Sequence, residues 1–115
     1  MSLVKRAALV AALLFAPHAR ADLAAGAIQR VVVMHRAEVR ACYEAGLKKN
    51  PDLAGKVVVA WVIAPGGAVS SARIASSTLA NANVEACIVS RVQTWRFPAP
   101  GSPTDVTYPF VFAAG

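Results

Sequence analysis

Apolar residues recur with helical spacing from about Leu23 to Lys49, which predicts one long amphipathic helix. Its apolar face would contain Ile28, Val31, Val32, His35, Val39, Cys42, Tyr43, Gly46 and Leu47. Its polar stripe would contain Arg36, Arg40, Glu44 and Lys48, at i, i+4 spacing. Asn50 and Pro51 come next and predict the end of this helix.

A β-hairpin is predicted after the helix. The run from Lys56 to Ile63, opened by Gly55, is β-branched and apolar at both alternating sets of positions. This pattern is typical of a central strand that is covered at least partly on both faces. A Pro-Gly-Gly turn at residues 65–67 predicts that Ala68 to Ser76 returns as a second strand. Serines interrupt the alternation of this strand, so we expect an outer strand or a β-bulge.

A second helix and a last strand complete the pattern. Asn81 or Asn83 can cap the helix, whose apolar face would contain Val84, Cys87, Ile88, Val92 and Trp95. A loop around Gly101 to Thr104 comes before the strand. The strand places Val106, Tyr108, Phe110 and Phe112 on one side.

The predicted order α-β-β-α-β defines an α+β fold. A right-handed crossover would lay the last strand beside the first, giving a three-stranded antiparallel or mixed sheet in the order 2-1-3. Pro109 supports an edge position for the last strand, because proline lacks the N–H that a central strand needs. We expect both helices to pack on one face of this sheet.

The N-terminus has the pattern of a secretory signal peptide. Lys5 and Arg6 precede an apolar run over residues 7–16, and Ala19 and Ala21 form an A-x-A cleavage motif. We therefore predict a signal peptide at residues 1–21 and one exported domain at residues 22–115. An uncleaved membrane anchor is the poorer interpretation, because the run is roughly half of the ~20 residues that a spanning helix needs.

Composition and charge narrow the function classes. The 115 residues are 57% hydrophobic and 16% charged, which fits one small folded domain and argues against disorder. The formal net charge is +6, but three of the 12 basic residues lie in the predicted signal peptide. The small excess that remains in an exported domain argues against a nucleic-acid partner.

The two cysteines, Cys42 and Cys87, lie on the apolar faces of the two predicted helices. An even number of cysteines in an oxidising compartment favours a disulfide between them. Two separate buried thiols remain an alternative. A redox-active pair is less favoured, because no C-x-x-C spacing lowers a thiol pKa.

Candidate catalytic and metal-binding groups are few. We interpret His35 as a core or boundary histidine with a local hydrogen bond, in preference to a ligand or a base. Glu38, Glu44 and Glu85 are interpreted as solvated helix residues. No close-spaced ligand pair predicts a metal site, and no paired-carboxylate or Ser-His-acid arrangement predicts catalysis. We therefore expect no enzyme activity, no catalytic residue, no metal, no cofactor and no small-molecule substrate.

Six segments of the chain carry a family resemblance. They are His35–Glu44, Gly55–Val59, Pro65–Val69, Ser77–Leu79, Val84–Ile88 and Trp95–Pro100. Together they resemble the C-terminal domain of the AgmX/PglI gliding-motility proteins, which belongs with the TonB C-terminal-like group. The Cys-Tyr-Glu, Glu-x-Cys-Ile and Trp-Arg-Phe-Pro elements are specific in combination, and the resemblance covers about residues 28–112.

The resemblance implies a periplasmic protein–protein interaction module with an αββαβ layout. Its partner would be an envelope protein or peptide segment, bound by strand addition at the last strand or by docking on a helix face. The residues that would contact this partner are Val106, Thr107, Tyr108, Phe110 and Phe112. The chain departs from an energy transducer in two ways, because its signal peptide is predicted to be cleaved and no Pro-rich spacer follows. We therefore expect no integral membrane anchor after cleavage.

Three function classes remain open at this point. The favoured class is the binding module of the cell envelope. The second is a structural or assembly protein that forms homo-oligomers through an exposed edge strand. The third is a thiol-based enzyme, which would need a free and reactive cysteine.

Overall fold

The computed structural model describes residues 25–113, which form an α+β domain. Its elements are α1 (25–34), α2 (Arg36–Leu47), β1 (Gly55–Ile63), β2 (Val69–Ser77), α3 (Ala82–Val92) and β3 (Thr104–Phe112). The signal peptide predicted at residues 1–21 lies outside the described residues. Within residues 25–113, no helix is both long enough and apolar enough to cross a bilayer.

The three strands form one antiparallel sheet in the order β2-β1-β3, which confirms the predicted topology. The pairing of β1 with β3 is regular from Gly55↔Phe112 to Ile63↔Thr104. The pairing of β1 with β2 shifts register twice, between Val58/Val59 and Val62/Ile63. The outer strand with bulges expected from the serine-rich sequence is therefore confirmed.

The helices and the sheet enclose one core on a single face of β1. Val57, Val59, Trp61 and Ile63 alternate along this strand and are buried beneath the helices. Their neighbours Val58, Ala60 and Val62 point to the opposite face and are half-buried. In residues 25–113 the helices cover one face only, as expected, and the partial cover expected on both faces of β1 is confirmed. The flanking strands alone account for its partial burial.

The predicted N-terminal helix is interrupted at His35, which separates α1 from α2. His35 has φ −102° and ψ 8°, values in the sparsely populated bridge region between helix and strand. Its ring stacks on the indole of Trp95, with centroids 4.9 Å apart. The preceding Val31-Val32-Val33 run lowers helix propensity, because β-branched side chains lose rotamer freedom in a helix. The single continuous helix was therefore a wrong prediction, although its buried face was correct.

Helix α3, the second helix predicted from the sequence, begins as expected. Asn81 is its N-cap, and the side-chain oxygen of Asn81 accepts a hydrogen bond from the Val84 N–H at 3.0 Å. Of the two asparagines that could have capped the helix, Asn81 is therefore the one that does.

A disulfide joins α2 to α3. Cys42 and Cys87 are bonded, with their Cα atoms 5.7 Å apart, and this confirms the predicted pairing. Gly46 lies one turn further along α2, where a Cβ would come within 2.6 Å of the Val84 side chain. The missing side chain of Gly46 therefore allows the two helices to approach each other closely beside the disulfide.

Replacing both Cys42 and Cys87 with Ala should lower the melting temperature by roughly 20 °C. The bond closes a loop with a sequence separation of 45, which corresponds to about 4 kcal/mol of restricted unfolded-state entropy. Calorimetry with and without reductant measures this effect, and the double variant should no longer respond to reductant. An identical melting temperature for the oxidised and reduced wild-type protein would contradict the assignment.

Candidate functional site

The outer edge of β3 is the candidate site, and the pairing within the sheet determines which backbone groups lie there. The carbonyl of Lys56 accepts from the N–H of Thr78, and the N–H of Ala64 donates to the carbonyl of Ala68. Both bonds run toward the β2 side. Because backbone groups alternate along an antiparallel strand, even-numbered residues of β1 pair with β2 and odd-numbered residues pair with β3.

This alternation places Pro109 in a non-hydrogen-bonded pair. Its partner is Val58, whose own backbone groups are directed to β2. The nitrogen of Pro109 therefore points to the outer edge, where its missing N–H removes no bond from the sheet. Thr107 and Val111 lie two positions before and after Pro109 along the strand, so their N–H and carbonyl groups also point outward. In the part of the chain that the structure describes, no strand pairs with these groups.

The residues predicted to contact a partner divide between two faces of β3. Thr107 is exposed on the open face of the sheet, and Val106 and Tyr108 are half-buried on the helix face. Phe110 and Phe112 are buried, with 7% and 8% of their surface exposed. A partner at this edge would therefore meet few atoms of these two rings. Their role in the structure is to pack β3 against the helices.

The helix face of β3 is anchored to α1 and α2. The Tyr108 hydroxyl accepts a hydrogen bond from Gln29 Nε2 at 3.4 Å, and the ring of Tyr43 stacks on Phe112 with centroids 4.6 Å apart. The Gln29–Tyr108 contact precedes the Tyr43–Phe112 contact both along the N-terminal helices and along β3. The N-terminal helices and β3 therefore run in the same sense.

A groove of about 380 Å³ lies between α2 and the edge of β3. Its helix side is formed by Arg36, Val39 and Arg40, and its strand side by residues 108–112. Arg36 and Arg40 are exposed, whereas Val39 is buried at the floor. The groove therefore combines an apolar floor, a basic wall and a row of unpaired backbone groups.

A second cluster of polar groups joins α2 to the segment after α3. His35 Nδ1 lies 2.6 Å from Glu38 Oε2, and Trp95 Nε1 donates to Glu38 Oε1 at 3.2 Å. The hydrogen bond with His35 is the largest cause of a lowered pKa at Glu38, with further contributions from Trp95 and from the charges of His35 and Arg91. His35 is thus a boundary histidine with a local hydrogen bond, as expected from the sequence.

Two glutamates expected to be merely solvated have specific partners. Glu38 bridges His35 and Trp95, and Glu85 accepts from the Ser77 hydroxyl at 2.9 Å and the Asn81 N–H at 3.2 Å. Glu85 thereby ties the end of β2 to the start of α3. Glu44 lies on the surface, with its Oε2 3.4 Å from Arg40 Nε. Only Glu44 therefore fits the expectation.

The remaining candidate chemistry is limited among residues 25–113. Both cysteines are in the disulfide, so no free thiol is present in this form of the protein. Across the same residues, no group of three His, Cys, Asp or Glu side chains is placed to hold a metal ion. The geometry that stands out is therefore the strand edge with its groove.

Sequence reasoning missed three residues of this site. Val111 is 74% exposed at the edge, and Arg36 and Arg40 form the basic wall. The position of Pro109 was a usable indication that the backbone groups of Val111 point outward. The two residues are two positions apart, so both direct their backbone groups to the same side of the strand. For the arginines no such indication existed, since their position beside β3 depends on tertiary packing.

Replacing Glu38 with Gln should make the melting temperature less sensitive to a fall in pH. The pKa of Glu38 is lower in the folded protein, so its carboxylate stabilises the fold above the unfolded-state pKa. That contribution is lost as the pH falls through the folded-state pKa. Between about pH 5 and pH 3 the wild-type melting temperature should therefore fall more steeply than that of Glu38→Gln.

The matched control repeats this substitution in a His35→Gln background. Because His35 is the main cause of the lowered pKa, the difference in slope should shrink there. Equal slopes for the wild type and Glu38→Gln would mean that the contact with His35 does not shift the titration of this carboxyl group.

The edge of β3, the groove beside it and the disulfide behind it are the distinctive features of residues 25–113. Comparison of the chain with known family models, with curated proteins and with solved structures finds no match.

Proposed function

We propose that this protein is an exported, periplasmic protein–protein interaction module that binds an extended segment of an envelope protein. The segment adds a fourth strand to the sheet at the outer edge of β3. Backbone hydrogen bonds with Thr107 and Val111 supply affinity, and the groove beside α2 supplies the choice of partner. The role is binding without catalysis, metal or cofactor.

The observation that carries this proposal is the unpaired edge of β3. An exposed row of N–H and carbonyl groups is a template for another strand, and natural sheets usually protect such rows. Here the edge strand is nine residues long and is regularly paired along its other side. An incoming strand would therefore meet a straight and firmly held edge.

Two further features support an exported binding module. The disulfide between Cys42 and Cys87 is a bond that persists in oxidising compartments, in agreement with the predicted signal peptide. The order of elements and the strand order agree with the layout implied by the resemblance to the TonB C-terminal-like group. A gliding-motility role for the partner would follow from the same resemblance.

Self-association through β3 is the second candidate, and Pro109 weighs against it. In an antiparallel pair of two β3 edges, each copy presents a proline where a donor is needed. A pairing that spans both prolines therefore leaves two carbonyl groups without a donor, each at a cost of about 1 kcal/mol or more. A partner segment without proline would leave only one carbonyl group without a donor, the one opposite Pro109.

Docking on a helix face is the alternative binding mode within the same function. Val33 and Met34 on α1 are 46% and 71% exposed. These side chains form a small apolar surface on the far side from the core. They provide a position at which the alternative mode can be tested in the same experiment.

Site-specific photo-crosslinking in intact cells that produce the full chain tests the proposal. A photoreactive residue at Val111 should crosslink to another protein, whereas one at Met34 should not. The Thr107→Pro change should lower the yield from position 111 at least fivefold, because it removes an outward donor worth about 1 kcal/mol. Because that N–H points away from β1, the sheet should keep its own hydrogen bonds.

Two variants provide matched controls. Thr107→Ala removes the same side chain but keeps the donor, so the crosslinking yield should stay at the wild-type level. Pro109→Ala adds a donor to the edge and should raise the yield up to about fivefold. Crosslinks from position 111 only to a second copy would support self-association instead. Crosslinks from position 34 alone would refute strand addition and favour the helix face.

A further inference from the structure

The wall of the groove beside β3 carries positive charge that residues 25–113 leave largely uncompensated. Arg36 forms no ion pair with any described residue, and Arg40 pairs only with Glu44. The side chains of that pair are 64% and 56% exposed, so solvent screens it and it contributes little. Both guanidinium groups are therefore available to an incoming ligand.

The acidic residue nearest in sequence to this wall does not neutralise it. Glu38 lies between Arg36 and Arg40 in the chain, but its two oxygens are engaged with His35 and Trp95. The residues that line the groove include no Asp or Glu. The groove is thus basic along the side that faces the edge of β3.

The spacing of the two arginines matches that of side chains along a strand. Four residues of α-helix rise about 6 Å, and side chains two positions apart on a strand are about 6.7 Å apart. The N-terminal helices and β3 run in the same sense, as the contacts at Gln29 and Tyr43 show. An added strand would direct alternate side chains toward α2, so two of them can face Arg36 and Arg40 together.

We infer that the partner segment is acidic, with carboxylate side chains two positions apart on the face directed to α2. Guanidinium groups bind carboxylates through paired hydrogen bonds. These bonds would select an acidic segment and would also fix the register of the added strand. This inference rests on the proposed strand addition and names the chemistry that selects the partner.

The chain itself cannot supply this segment from a second copy. Its six acidic residues are Asp22, Glu38, Glu44, Asp52, Glu85 and Asp105. No two of them are separated by a single residue. A second copy of these 115 residues therefore contains no carboxylate pair with strand spacing, which favours a different protein as the partner.

Titration of the oxidised, ¹⁵N-labelled protein with three matched peptides tests the inference. Each peptide has eight residues of alternating threonine and valine, with two neighbouring valines replaced by glutamate, glutamine or lysine. The glutamate peptide should shift the amide signals of Thr107 and Val111, with a Kd about tenfold lower than that of the glutamine peptide. The lysine peptide should bind most weakly, and the differences should shrink as salt is added.

Charge reversal identifies the residues responsible. The Arg36→Glu/Arg40→Glu variant should prefer the lysine peptide, whereas Arg73→Glu/Arg96→Glu should keep the wild-type order. The control changes net charge by the same amount at exposed positions outside the groove. If the first variant does not fold, Arg36→Gln/Arg40→Gln should abolish the preference for glutamate.

The outcomes separate this inference from the proposed function. Equal shifts of the edge amides by all three peptides would overturn the acidic preference and leave strand addition intact. A glutamate peptide that shifts no edge amide at millimolar concentration would overturn the acidic preference as well, while the crosslinking experiment decides strand addition independently. Shifts confined to α1 would contradict both.

Discussion

The alternation of backbone groups along β1 is the constraint on which the rest of the structure depends. Its even-numbered residues are bonded to β2 and its odd-numbered residues to β3, while its side chains alternate between the open face and the core. The same alternation fixes which groups of β3 remain outside the sheet. A one-residue change of register would turn the nitrogen of Pro109 inward and break the pairing. The buried core and the free edge therefore follow from one register.

Most of the fold could be predicted because its determinants are local. The apolar run of β1, the Pro-Gly-Gly turn and the Asn81 cap are each read within a few residues. The break at His35 was missed although the Val31-Val32-Val33 run is a local indication of a weaker helix, and its stacking partner Trp95 is distant in sequence. The open face of the sheet was predicted from the expected packing of the helices on one side, and Val58 and Val62 on that open face are half-buried.

The candidate site was predicted only in part, because some of its determinants are local and others depend on contacts between distant segments. The last strand was identified from its own alternation, and Pro109 marked it as an edge. Which of its backbone groups face outward depends on register, and within the strand Pro109 was an indication of that register that the prediction did not use. The predicted aromatic contacts at Phe110 and Phe112 are buried, because the alternating apolar side chains of an edge strand are those that hold it to the core. The basic wall depends on packing between segments about seventy residues apart.

The disulfide has a consequence for the groove as well as for stability. It fixes α2, which provides the basic wall, to α3, and Gly46 allows the two helices to approach closely beside it. A wall that is held in place before binding loses little conformational freedom when a ligand arrives. The groove is thus organised in advance by a bond on the opposite side of α2.

The two bulges of β2 limit how far the sheet can grow. Ala75 and Ser70 are the extra residues in β2, and each interrupts the regular row of groups on that edge. The sheet therefore has one edge that can accept a strand and one that is irregular. Under the proposed strand addition, the domain would have a valency of one and would end an assembly without extending it, because the irregular edge of β2 would not take a second strand.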